Sequence, residues 1–115
     1  MDIQLKRVYE EAAPDDGYRV LVDRLWPRGL TKDKARVDEW AKDIAPSHEL
    51  RKWFHADRTK WAEFKRKYLT ELKEHREQLD ALAARAGRER VTLLFGTTDT
   101  ERNHAVILAE RLKKL

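Results

Sequence analysis

The chain has no cysteine, one methionine, one serine, three prolines and four glycines in 115 residues. Without cysteine there are no disulfides, no thiolate nucleophile, no cysteine-ligated iron–sulfur cluster and no thiolate zinc site. With Ser47 as the sole serine, a serine nucleophile would have to come from a residue better suited to capping a helix. No apolar run approaches the roughly 18 residues of a membrane-spanning helix. The start, MDIQLKRVYEE, lacks the basic-then-apolar pattern of a secretory signal. A cytoplasmic protein is therefore expected. The histidines His48, His55, His75 and His104 show no metal-ligand spacing, so neither a metal nor another cofactor is expected. A metal bridging His55, His104 and Asp99 is the disfavoured alternative.

What is present is charge, at 40% of residues, beside 41% hydrophobic residues. That balance describes a globular domain rather than a disordered chain. The length suits one domain, 1–115, with roughly 6,600 Å² left accessible. Lys and Arg exceed Asp and Glu by 25 to 21, a net +4. The excess is spread thinly: −1 over residues 1–30 (5 basic, 6 acidic), +3 over 31–86 (14 and 11) and +2 over 87–115 (6 and 4). A basic face over Arg58 to Lys73 would attract polyanions, but no nucleic-acid-binding motif accompanies it.

The hydrophobic pattern predicts an α/β domain: a short, at least partly parallel sheet flanked by helices. Ile3–Tyr9 and Tyr18–Val22 read as strands, separated by the turn signal Pro14-Asp15-Asp16-Gly17. Thr31 and Ser47 are N-cap residues for short helices, and Asp57 looks like a third. Val37–Ile44 fits a helix or a strand equally well. From Arg58, apolar residues recur at three and four: Trp61, Phe64, Tyr68, Leu72, His75, Leu79, Leu82 and Ala86. This predicts one long helix near residues 58–86, closed by Gly87. Arg90–Gly96 reads as a strand buried on both faces. A last helix is expected from about Thr100, with Ala105, Leu108, Leu112 and Leu115 inward and Ile107 near its edge.

Two segments follow buried strands, the usual place for a ligand crevice in an open α/β sheet. In Asp23-Arg24-Leu25-Trp26-Pro27-Arg28-Gly29, the guanidinium forks of Arg24 and Arg28 suit carboxylate or phosphate. Asp23 and Trp26 are further candidates for ligand contact. Equally, Trp26 could plug the core and Arg24 could organise the loop through a carboxylate. In Gly96-Thr97-Thr98-Asp99-Thr100-Glu101-Arg102-Asn103-His104, a helix start would offer free N–H groups to an anion. Thr98, Thr100 and Asn103 are the binding candidates there. Asp99 could instead cap that helix. His55, His104 and Asp99 are the candidates for proton transfer.

Three blocks, Val22–Gly29 (VDRLWPRG), Trp40–Ser47 (WAKDIAPS) and Leu50–His55 (LRKWFH), closely resemble the YeaO-like family of small bacterial proteins, a domain-of-unknown-function group. Trp61–Tyr68, Val91–Phe95 and Asn103-His104-Ala105 are similar to its later blocks, so the resemblance covers essentially the whole chain. It implies a compact α/β domain and no established reaction. Asp23, Arg24, Arg28, Trp53, His55, Asp99 and Asn103 follow the family pattern. Arg102 stands where members often carry histidine, and Thr97-Thr98 where they carry an alanine–lysine pair. Three functions are therefore carried forward. The first is binding of a small anionic or phosphate-containing metabolite at the two loops. The second is a nucleic-acid-binding or regulatory module, and the third is a protein-interaction module without catalysis.

Overall fold

Four parallel strands form the centre of the computed structural model, which describes residues 1–115. They are β1 (Ile3–Arg7), β2 (Tyr18–Leu21), β3 (Glu39–Trp40) and β4 (Val91–Phe95), in the spatial order β1-β4-β2-β3. Ile3 pairs with Val91 and Tyr18 with Val91, so β4 is flanked on both sides. All five of its residues are buried. A parallel strand covered on both faces needs apolar side chains at successive positions, and Val-Thr-Leu-Leu-Phe supplies them.

Five helices surround the sheet: α1 (Lys32–Ala35), α2 (His48–Ala56), α3 (Trp61–Leu72), α4 (Arg76–Ala86) and α5 (His104–Lys113). Thr31 and Ser47 cap α1 and α2 as expected, each accepting a backbone N–H three residues on. The expected long helical stretch begins at Trp61 and is divided by a 3-10 turn at Lys73–His75. Phe64, Tyr68, Leu72, Leu79, Leu82 and Ala86 do face the main core, but His75 is only half-buried and marks the break. Asp57 ends α2 instead of opening α3; its Oδ1 accepts the Thr59 N–H at 3.1 Å and so turns the chain. Gly87 ends α4 in the right-handed region (φ −74°), not the left-handed one a glycine cap usually adopts.

The ambiguous segment at 37–44 resolves into strand β3 followed by a 3-10 turn at Lys42–Ile44. Ile107, expected at the edge of α5, is 1% exposed. A larger apolar cluster fills the space between the sheet and α2–α5, and a smaller one (Val8, Leu21, Ala35, Leu94) lies on the other face beneath Trp26 and Val37. Tyr68 is wholly buried, and its hydroxyl donates to the Ile44 carbonyl at 2.6 Å. Burial, with Glu71 nearby, holds that phenol far above its ordinary pKa. No helix is long and apolar enough to cross a membrane.

Candidate functional site

Parallel strands deliver their following loops to one end of the sheet, so the segments after β2 and β4 meet there. Asp23, two residues beyond β2, makes the junction. Its Oδ2 accepts the Gly96 N–H at 2.9 Å, immediately after β4. From the end of β1, Arg7 donates to the Thr97 carbonyl at 2.9 Å and the Gly96 carbonyl at 3.0 Å, fixing the same loop. Tyr9 reaches across to the first loop, its hydroxyl donating to the Arg28 carbonyl at 3.0 Å. The two segments singled out in the sequence are thus one surface.

Between them opens a cleft of about 460 Å³. Of the sequence candidates, Asp23, Arg24, Trp26, Arg28, His55, Asn103 and His104 line it. Asp99, Thr98 and Thr100 do not. The reason is the position of α5. The helix begins at His104, capped by Asn103, whose Oδ1 accepts the Val106 N–H at 3.1 Å. The expected start near Thr100 is therefore four residues too early. Asp99 instead organises the preceding turn, accepting the N–H groups of Glu101 (3.0 Å) and Arg102 (2.9 Å). Those two backbone hydrogen bonds hold its carboxyl below the usual carboxylate range.

Arg24 has a dual role in space. Its Nε donates to the Pro46 carbonyl at 3.0 Å and its Nη2 to the Ala45 carbonyl at 3.1 Å. The charge is pinned to backbone rather than neutralised by a carboxylate, so it still contributes to the field in the cleft. Trp26 leans on structure as well: Nε1 donates to the Leu30 carbonyl at 2.8 Å, and the ring meets Trp40 edge-on at 5.4 Å. Arg28 forms neither an ion pair nor a side-chain hydrogen bond and is exposed.

Three further arginines belong to the cleft: Arg51, which nothing in its sequence setting marks, Arg58, which opens the basic face, and Arg102, which departs from the family pattern. Arg51 and Arg58 come from α2 and the turn after it, and Arg102 from the segment before α5; all three line the cleft. Arg51 lies one helical turn before His55, a spacing that places both on the same face. Arg58 pairs with Asp99 at 3.2 Å in an exposed contact. His55 is largely exposed, and partial desolvation lowers its imidazole pKa below the ordinary value, with the Arg51 and Arg58 charges pushing it the same way. Both effects favour the neutral imidazole.

At the floor, His104 Nε2 lies 2.8 Å from the Val22 carbonyl and 3.0 Å from Asp23 Oδ1. One ring nitrogen carries at most one hydrogen, so it cannot serve both acceptors fully. The geometry favours Val22, and Asp23 Oδ1 remains buried without an aligned donor. This fixes the protonated nitrogen of His104 as Nε2, because a backbone carbonyl can only accept. The His55 and His104 side chains thus differ in kind: one faces arginines, the other a carboxylate and a carbonyl.

An open parallel α/β domain with an arginine-lined cleft at the carboxyl ends of its strands defines the class. The chain matches the family described as the inactive DUF488-N3 subclade over residues 2–115. It is 49% identical over 115 residues to the uncharacterized protein YeaO of Escherichia coli K12, covering 100% of both chains. It is also 46% identical over 110 residues to an uncharacterized protein of Mycobacterium tuberculosis H37Rv, covering 96% of this chain and 92% of that one. The chain therefore belongs to the YeaO-like family within that DUF488 subclade. No solved structure matches it.

Proposed function

We propose that this protein binds a small anionic, phosphate-containing ligand in the cleft between the β2 and β4 loops. The observation that carries the reading is the convergence of Arg24, Arg28, Arg51, Arg58 and Arg102 on one concavity whose lining includes a single carboxylate, Asp23. Like charges gathered around a cleft with low-dielectric walls focus a positive potential, and guanidinium forks match phosphate oxygens bidentately. Phe54 and Trp26 supply apolar wall for an organic body.

Membership of a subclade described as inactive supports a binding role over turnover. In this reading Arg28, Arg51 and Arg102 contact the ligand. Arg24 and Asp23 hold the loops, and His55 supplies a neutral hydrogen-bonding group. The protein binds this metabolite in the cytoplasm.

Thermal unfolding with increasing phosphate at constant ionic strength tests the reading. Phosphate should raise the unfolding temperature of the native protein, and the R28A variant should lose that response while unfolding at the native temperature without ligand. An equal response to phosphate and to chloride would sink the proposal.

A further inference from the structure

The charge around the cleft specifies more than an anion. Five arginines and Asp23 line it. Arg58 is compensated by Asp99, which stands outside the lining. The four remaining arginines less Asp23 leave +3 from these side chains. Arg24 is oriented by two backbone carbonyls, whereas Arg28, Arg51 and Arg102 are exposed and enter no ion pair. These three come from different elements: the loop after β2, helix α2, and the segment leading into α5. Unpaired guanidinium groups from three elements thus line one cleft.

A phosphate monoester brings a charge of about −1.5 to −2 at neutral pH. One such group would leave the +3 of the cleft under-compensated by about one charge. A dicarboxylate supplies no more charge in total. Two phosphate groups together bring roughly −3 to −4, which matches the cleft. The cavity, at about 460 Å³, lies within the span of roughly 300–1,000 Å³ that holds a ligand of several functional groups.

We infer that the ligand carries two phosphate groups, as a diphosphate, engaged together by Arg28, Arg51 and Arg102. This inference rests on the anion-binding reading above and names the class of anion. Two phosphates bridged through one oxygen reach neighbouring guanidinium groups without separate binding events, so the second group adds affinity at little further entropic cost.

The test is isothermal titration of the full chain with inorganic phosphate, pyrophosphate and succinate at one ionic strength and pH 7.5. Pyrophosphate should bind at least tenfold more tightly than phosphate or succinate. R51A and R102A should each weaken pyrophosphate at least tenfold, with circular dichroism unchanged because neither side chain supports the fold. R66A, on an exposed part of α3 outside the cleft, should weaken it less than twofold. Phosphate and pyrophosphate binding within threefold of each other would overturn the diphosphate inference and leave the anion site standing. Succinate matching pyrophosphate would overturn the phosphate specificity. An R66A loss equal to that of R51A would reduce the effect to diffuse surface charge. Binding of none of the three probes would remove the anion site itself.

Discussion

Asp23 and Gly96 are joined by a 2.9 Å hydrogen bond from the Gly96 N–H to Asp23 Oδ2, and this contact closes the loops after β2 and β4 into one cleft. The two residues are 73 apart in the chain. A Cβ on residue 96 would sit 3.0 Å from that same carboxylate oxygen. Space, rather than an unusual backbone angle, is what requires glycine here.

The Gly96→Ala variant should therefore push the Asp23 carboxylate away and weaken the tether. A loss of about 1–3 kcal/mol is expected, as for other overpacked sites. Urea unfolding measures it. In amide-exchange experiments the residue 96 N–H should also lose protection, an effect that general destabilisation at a distant site would not confine to this loop.

Arg24 and Arg28 should separate cleanly on substitution. Removing Arg24 strips the Ala45 and Pro46 carbonyls of a charged donor. The expected cost of Arg24→Ala is about 1.5–3 kcal/mol. Arg28, with an exposed and unpaired side chain, should change stability by no more than about 0.5 kcal/mol on replacement by alanine. Equal unfolding midpoints for the two variants would show that Arg24 has no structural role.

The Asp16 site contributes to the acid sensitivity of the fold. Asp16 bonds Arg19 and Lys6 at one end of the sheet, and Arg19 is 4% exposed. Burial alone would raise the Asp16 pKa, but the Ala13 N–H together with Lys6 and Arg19 lower it overall. Its folded value lies below its unfolded value, so the stabilisation is complete above the unfolded value of 3.8 and is lost as pH falls through the folded one. Asp16→Asn should cost about 3–5 kcal/mol near neutral pH by leaving Arg19 buried and unpaired. The native and variant unfolding free energies should converge as the pH falls below that window.

His55 should act in the same sense but in a higher pH window. Its pKa is lowered in the folded protein by partial desolvation and by Arg51 and Arg58. Below the unfolded value of 6.5, the unfolded chain takes up a proton that the folded chain refuses. Stability should thus be full above pH 6.5 and decline as the pH falls toward the folded value. His55→Gln should flatten this part of the profile. A ligand anion beside Arg51 and Arg58 would offset their charge and raise the His55 pKa. A proton NMR titration should show that rise on adding pyrophosphate and none on adding chloride.

Local chemistry accounts for much of the fold. Thr31 and Ser47 announce their helices because a hydroxyl can accept an orphan N–H wherever the surrounding residues favour a turn. The unbroken apolar run in β4 announces a central strand because burial on both faces admits nothing else. The YeaO-like blocks, centred on Val22–Gly29, are legible for the same reason: they sit at consecutive positions, and matching them requires no knowledge of distance. Capping side chains near the last helix were harder to rank. Thr98, Asp99, Thr100 and Asn103 can each accept an N–H, and the choice of Asn103 depends on where α5 docks against the sheet.

The cleft itself needs three dimensions. Arg51 and Arg102 lie in stretches where an exposed arginine is ordinary, and their sequence neighbours give no sign that they face Arg28. Arg28 and Arg102 share the cleft because β2 and β4 run parallel and adjacent, so both following loops leave the same end of the sheet, and Arg51 joins them from α2, which follows β3, itself parallel to β2. Residue type and spacing encode helices, strands and caps because those depend on contacts within a few positions. Convergence of distant arginines depends on strand order, which is settled by how the whole chain buries its apolar faces at once.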